Sequence, residues 1–142
     1  MDFKKEIQRV TVKGIIHSGG KILLLQDGKG KWELPGGKIV FGEDPKITLA
    51  RELSEELGLE DVEVENIIDA WSFCVDAKDE KYQFIVLIYE CLTHKSDFNL
   101  SGEHIKLEWI SFEDIPKLNM QDGYKNSLAI YQRLLLCKYS TK

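Results

Sequence analysis

Apolar and polar positions change period several times along the chain, and each change marks an element. From Gln8 to His17 β-branched residues dominate. Ser18-Gly19-Gly20 then reads as a turn and Lys21 to Gln26 as a second strand, so the first segment predicts a hairpin. Asp27-Gly28-Lys29-Gly30 is a loop and Trp32 to Leu34 a short strand. Pro35-Gly36-Gly37 is a backbone feature that allows close approach to another group. Between Pro45 and Leu57 the period becomes helical: at about 100° per residue Leu49, Ala50, Leu53 and Leu57 fall on one stripe. Asp44 suits the N-cap, Pro45 the first helical position and Gly58 the left-handed stop. Val62 to Phe73 and Tyr82 to Cys91 read as long strands joined by the polar stretch from Asp76 to Lys81, and they are expected to pair. His94 to Glu103 is loop-like, Leu107 to Ser111 a strand centred on Trp109, and Phe112 to Pro116 a short helical turn. A last helix is expected from about Gly123 to Cys137, with Leu128, Tyr131, Leu134 and Leu135 packing on the sheet. Strands, helix, strands and helix in this order suit an α/β/α sandwich around a mixed sheet.

A neighbouring side of the first helix carries the candidate chemistry. Glu52, Glu55 and Glu56 occupy an arc about 100° wide beside the apolar stripe. As a merely solvated face this arrangement is costly. Glu52 stands three and four residues from Glu55 and Glu56, and each such like-charge pair costs about 0.2–0.5 kcal/mol. Glu55 and Glu56 also lie near the helix C-terminus, where the macrodipole disfavours anions by about 0.3–1 kcal/mol each. Arg51 relieves part of this by pairing with Glu55. A bound cation would reverse the sign of the rest, and an all-oxygen ligand set selects a hard one, Mg²⁺ or Mn²⁺, over zinc.

Composition narrows the alternatives. At 142 residues the chain fits a single domain, 1–142, with a core that needs no disulfide or structural zinc. Cys74, Cys91 and Cys137 are odd in number and form no Cys-x-x-Cys pair, which points to reduced thiols. The N-terminal residues lack the apolar core of a secretory signal, and no apolar run approaches the ~20 residues of a membrane span. The expected setting is cytoplasmic, with no membrane partner. A net charge of -5 argues against a nucleic-acid polymer as the main partner. It leaves small phosphorylated substrates open, because bound divalent cations turn an acidic cleft into a phosphate binder. A homodimer is neither required nor excluded.

Gly37, five residues, Glu43, seven residues, then Arg51-Glu52-Leu53-Ser54-Glu55-Glu56-Leu57-Gly58-Leu59 resembles the Nudix box of the Nudix hydrolases without a departure. Trp32-Glu33-Leu34-Pro35-Gly36-Gly37 is similar to the segment that leads into that box. The resemblance implies the same sandwich fold and hydrolysis of a nucleoside diphosphate linked to another moiety. Carried over residue by residue, it makes Glu52, Glu55 and Glu56 the metal-ligand candidates, with a carbonyl from Gly36 or Gly37. Glu43 and Arg51 become an orienting ion pair, Arg51 also steadying the glutamates. The family often supplies its general base from a loop outside the box, and Ser101-Gly102-Glu103-His104 resembles such a loop. Glu103 is therefore the leading base candidate, with Glu52 and Glu108 as alternatives.

For the non-phosphate part of the substrate the candidates are the first strand, the loop from Val75 to Lys81, and Asn119 to Asn126, where Tyr124 and Asn126 could stack on and hydrogen-bond a base. The family patterns that mark ADP-ribose, dinucleotide or NADH specificity are missing from Cys74-Val75-Asp76-Ala77-Lys78-Asp79. The expected substrate is thus a nucleoside triphosphate, cleaved in the MutT-like manner to monophosphate and pyrophosphate. A nucleotide-sugar or ADP-ribose pyrophosphatase, and a non-catalytic nucleotide sensor on the same scaffold, are the alternatives.

Overall fold

The computed structural model describes residues 3–94 and 106–140. The long first strand, β1 (Lys5–Ser18), is the spine of the molecule. It runs parallel to β6 (Glu80–Leu92) from Lys5 opposite Glu80 to Ile16 opposite Cys91. β6 in turn pairs antiparallel with β5 (Glu63–Asp76), which contains register shifts between Val64 and Asp69. At its other end β1 turns through Gly19-Gly20 into β2 (Lys21–Gln26), the two strands pairing only at His17–Ile22 and Ser18–Lys21. β2 then pairs antiparallel with β3 (Trp32–Glu33) and β7 (Lys106–Ser111). The expected hairpin is present, but most of β1 serves a different partner.

The alternation along β1 separates two cores. Val12 and Ile16 point to one face and pack with Leu23, Leu25 and the Leu49, Leu53 and Leu57 stripe of α1 (Pro45–Leu57). Ile15 points to the other face, where it joins Val86, Ile88, Trp32 and the Tyr124, Leu128 and Tyr131 stripe of α2 (Asp122–Ser140). A mixed sheet with one helix on each side is the expected α/β/α sandwich. Leu134, expected to pack on the sheet, is instead 49% exposed: three residues on from Tyr131, it has rotated off the buried stripe. No helix among the described residues is long and apolar enough to cross a membrane.

α1 begins and ends where its signals place it. Asp44 occupies the N-cap with extended backbone but makes no side-chain capping bond, Pro45 follows, and Gly58 takes the left-handed conformation at φ 70°. The Gly58 and Leu59 amides close back on the Ser54 and Leu53 carbonyls. Directly after β7, a 3-10 turn (Phe112–Lys117) leads to α2. The Trp32 amide donates to the Asn119 carbonyl at 2.9 Å and so ties β3 to the start of α2.

Candidate active site

Pro35-Gly36-Gly37 is where the two faces meet. Gly36 opens the short strand β4 (Gly36–Lys38), which pairs antiparallel with β1 through Thr11–Lys38, Val12–Gly37 and Lys13–Gly36. The close approach anticipated for these glycines is therefore to β1. Gly36 has φ 146°, and a Cβ there would stand 2.0 Å from the Val12 carbonyl oxygen. Gly37 meets a different neighbour: a Cβ would stand 2.4 Å from Cδ of Glu52 and 2.6 and 2.7 Å from its two oxygens. The bare backbone of β4 is what lets the α1 carboxylates come up against it. On the same side the Gly36 amide donates to Glu56 Oε1 at 3.4 Å.

Arg51 organises the acidic arc. Its guanidinium grips Glu43 with two bonds of 2.9 Å and reaches Glu52 Oε1 at 3.3 Å and Glu55 Oε2 at 3.2 Å. Glu43 also accepts from the Thr48 hydroxyl at 2.8 Å. The Arg51 bonds, with help from Thr48, hold the Glu43 carboxyl down at about 2. Glu52 moves the other way, pushed up by burial and by the charges of Glu55 and Glu56, even with Arg51 opposing the shift. Like charges kept together in a partly buried place are what a cation site requires. The donors, carboxylate oxygens and glycine carbonyls, suit a hard divalent ion. Among the described residues no three His, Cys, Asp or Glu side chains close into a ready ligand set. Here Arg51 supplies the positive charge between Glu52 and Glu55.

From Gly37 and Glu52 a cleft of about 720 Å³ runs over the sheet toward α2. Its lining includes Thr11, Lys13, Glu33, Phe73, Phe84 and Tyr124. One end is therefore acidic and the other aromatic. Phe73 and Phe84 are cross-strand partners stacked with centroids 5.2 Å apart, and Lys38 stands 5.6 Å above the Phe84 ring. Lys13 projects from β1 opposite Gly36 and is only 7% exposed. Its Nζ lies 3.4 Å from Glu33 Oε1. Burial opposes the Lys13 charge, but Tyr124, Glu33 and Glu56 outweigh it and hold its pKa above the ordinary lysine value.

The structure brings Gly36, Gly37, Arg51, Glu52, Glu55 and Glu56 together, as their spacing implies. Tyr124 reaches the cleft, but its ring is buried edge-on against Trp71 with centroids 5.0 Å apart, so it forms wall rather than an open stacking surface. Asn126 does not reach it. It lies two residues further around α2, exposed in a shallow hollow with Phe112, Pro116 and Lys125, and Gln121 takes the cleft position expected of it. The Val75 to Lys81 loop contributes to a separate groove with Glu6, Ile7 and Gln8. Glu103 and His104 lie outside the described residues. Glu108, on β7, pairs with Lys106 at 3.2 Å and does not line the cleft. His17 accepts from the Gly20 amide at 3.2 Å, a turn-stabilising role.

Glu33, Phe73 and Phe84 are not among the sequence-derived candidates for this cleft, while Lys13 and Gln121 fall within the first strand and the Asn119 to Asn126 segment without being singled out. The available signal was Lys13 itself, a charge interrupting the apolar run from Val12 to Ile16.

Comparison with known proteins agrees with this geometry. The family model described as the NUDIX domain matches residues 7–131. The nucleoside triphosphatase NudI of Enterobacter sp. (strain 638) is 30% identical over 143 residues, covering 91% of this chain and 99% of its own. A putative 8-oxo-dGTP diphosphatase 2 of Mycobacterium tuberculosis (strain ATCC 25618 / H37Rv) is 46% identical over 59 residues, 38% of this chain and 42% of that one. Among solved structures, the MutT protein from Methanosarcina mazei Go1 superposes with a TM-score of 0.76 at 28% identity, covering 92% of this chain and 95% of that one. With the box residues gathered against β4 and the family match spanning nearly the whole chain, the protein belongs to the NUDIX-domain family of hydrolases.

Proposed function

We propose that this chain, as one domain, hydrolyses nucleoside triphosphates to a nucleoside monophosphate and pyrophosphate with the help of Mg²⁺ or Mn²⁺. The observation that carries the reading is the polarity of the cleft: the Glu52 and Glu56 carboxylates meet Gly36-Gly37 at one end, and Phe73 and Phe84 line the other. A triphosphate and its base have that polarity once cations sit at the acidic end. The names of the NudI relatives support the substrate class.

Glu52, Glu55 and Glu56, with a carbonyl of Gly36 or Gly37, would hold the metal. When bound, the metal supplies charge neutralisation at the phosphoryl oxygens and an activated water. The chain's own part is positional. Arg51, anchored by Glu43, fixes Glu52 and Glu55 relative to one another, so the carboxylates reach the substrate in a set geometry. Glu103 is proposed as the proton acceptor, with Glu52 as the alternative because burial and its neighbours already raise its proton affinity.

The test is to incubate the protein with Mg²⁺ and a panel of nucleoside triphosphates, nucleotide sugars, ADP-ribose and dinucleotides, and to identify the products by chromatography. Monophosphate and pyrophosphate from triphosphates are expected, with turnover reduced at least ~10²-fold in Glu56→Gln. Diphosphate and orthophosphate as products would refute the reading. Nucleotide binding without turnover across the panel would favour the sensor alternative.

A further inference from the structure

Lys13 belongs to the face of the sheet that carries the aromatic wall. Along β1, Thr11, Lys13 and Ile15 share a face by strand alternation. Their parallel partners in β6 are Val86, Ile88 and Glu90, and Phe84 precedes them opposite Arg9. Phe73 stands across from Phe84 on β5. Lys13, Phe73 and Phe84 line one cleft, with Lys13 four residues further along β1 than the Arg9 that stands opposite Phe84, so a base seated between the phenyl rings and Gly36 lies within the span that Lys13 borders. Lys13 is also the one buried charged side chain among the described residues, its companions Thr48 and Ser127 being neutral.

A buried ammonium is costly unless its donors are used. Lys13 has three N–H donors, and its acceptor partner Glu33 Oε1 is at 3.4 Å, longer than the about 2.7–2.9 Å of a strong charge-assisted bond. Glu33 thus holds the charge in place without saturating it. An ammonium has no acceptor capacity, so it rewards an acceptor and repels an N–H presented at the same point. Guanine, thymine and uracil carry an exocyclic carbonyl oxygen where adenine and cytosine carry an amino group.

We propose that Lys13 is a specificity-determining residue that selects nucleotides whose base presents a carbonyl oxygen at purine C6 or pyrimidine C4, the oxo bases, over those presenting an amino group at that position. The proposal rests on the cleft being the nucleotide site, and deepens that reading by naming the base class. An amino group facing Lys13 sets donor against donor and gives the ammonium no acceptor beyond Glu33, so discrimination comes from the penalty on the wrong base as much as from the bond to the right one. Glu33 is the positioning residue that keeps Nζ at the cleft.

The experiment compares kcat/KM for dGTP, dTTP and dUTP with that for dATP and dCTP, in wild type and in Lys13→Met. Binding of dGMP, dTMP, dAMP and dCMP to the metal-free protein is followed in parallel by NMR titration. Wild type is expected to favour the oxo bases by about tenfold or more, and Lys13→Met to bring the two groups within about threefold. Lys13→Gln, whose amide both donates and accepts, should relax the preference in the same way and serves if the Met variant folds poorly. A wild type without base preference, or with a preference that survives both substitutions, overturns the proposal. So does an equal loss on every base, which would assign the ammonium to phosphate. Absence of triphosphate turnover would count against the proposed reaction alone, because the monophosphate titration still decides whether Lys13 reads the base.

Discussion

Gly36 and Gly37 are adjacent, yet alanine at the two positions should fail for different reasons. At Gly36 the new Cβ would stand 2.0 Å from the Val12 carbonyl oxygen and 2.9 Å from Lys13 Cα, both backbone atoms that cannot rotate away. The φ of 146° adds about 1–3 kcal/mol of strain for a non-glycine residue. Relieving the overlap means separating β4 from β1, which endangers the flanking bonds from the Gly14 amide to the Pro35 carbonyl (2.9 Å) and from the Ile39 amide to the Val10 carbonyl (2.8 Å). At about 0.5–1.5 kcal/mol each, these bring the expected loss to about 2–6 kcal/mol, a large part of a small domain's stability.

At Gly37 the obstacle is the far end of the Glu52 side chain. Restoring ordinary contact from 2.4 Å to about 3.4 Å moves that carboxylate by roughly an ångström, at a rotamer cost of about 0.5–1.5 kcal/mol. The reduced backbone freedom of the unfolded Ala chain offsets about 0.4–1 kcal/mol of it. Stability should therefore stay near wild type while a misplaced Glu52 lowers kcat/KM by about 10²-fold. Urea titration and steady-state hydrolysis with Mg²⁺ measure the two effects. A Gly37→Ala protein with full activity, or one less stable than Gly36→Ala, would refute the assignment of Gly37 to the site and Gly36 to the fold.

Three further outcomes are expected. Because Arg51 holds Glu43 at about 2 against an ordinary 4.5, its contribution to stability is complete above pH 4.5 and disappears as pH falls toward 2. Glu43→Gln should flatten that part of the acid limb in Tm measured against pH, and an unchanged limb would show the pair to be inconsequential. Ser127→Ala removes the acceptor of Trp71 Nε1 (3.0 Å) and the hydroxyl 2.8 Å from Asp69 Oδ2, both bridging β5 to α2. It should cost about 1–3 kcal/mol in urea unfolding and raise KM by loosening the α2 wall of the cleft. The Cys91 thiol, buried and pushed up to about 12, should resist alkylation in the native state, whereas the exposed Cys74 and Cys137 react; mass spectrometry of the labelled protein distinguishes them.

What could be read along the chain is what short-range periodicity encodes. The α1 boundaries follow from Asp44, Pro45 and Gly58, and the glutamate arc from the helical phase of residues 52, 55 and 56, because within one element the rotation per residue is constant. The β1–β2 turn, the β5–β6 pairing and the existence of α2 follow from equally local signals. The helical phase alone did not say which residues of α2 face the cleft. Tyr124 and Gln121 reach it while Asn126 and Leu134 point away, and that depends on how α2 is rotated on the sheet by Trp71, Ser127 and the Trp32–Asn119 bond.

Tertiary structure also decided the parallel pairing of β1 with β6 and the docking of β4 on β1. Both join residues distant in sequence, through hydrogen bonds that every backbone can make. Those pairings place Lys13 in one cleft with Phe73 and Phe84 and bring Gly37 against Glu52. A lysine in a strand is ordinarily a surface residue, and only the elements closing over this one make it a buried donor. Local sequence thus set the acidic half of the site, whose carboxylates at Glu52, Glu55 and Glu56 lie on a single helix. The aromatic half, assembled from four separate elements, exists only once they have packed.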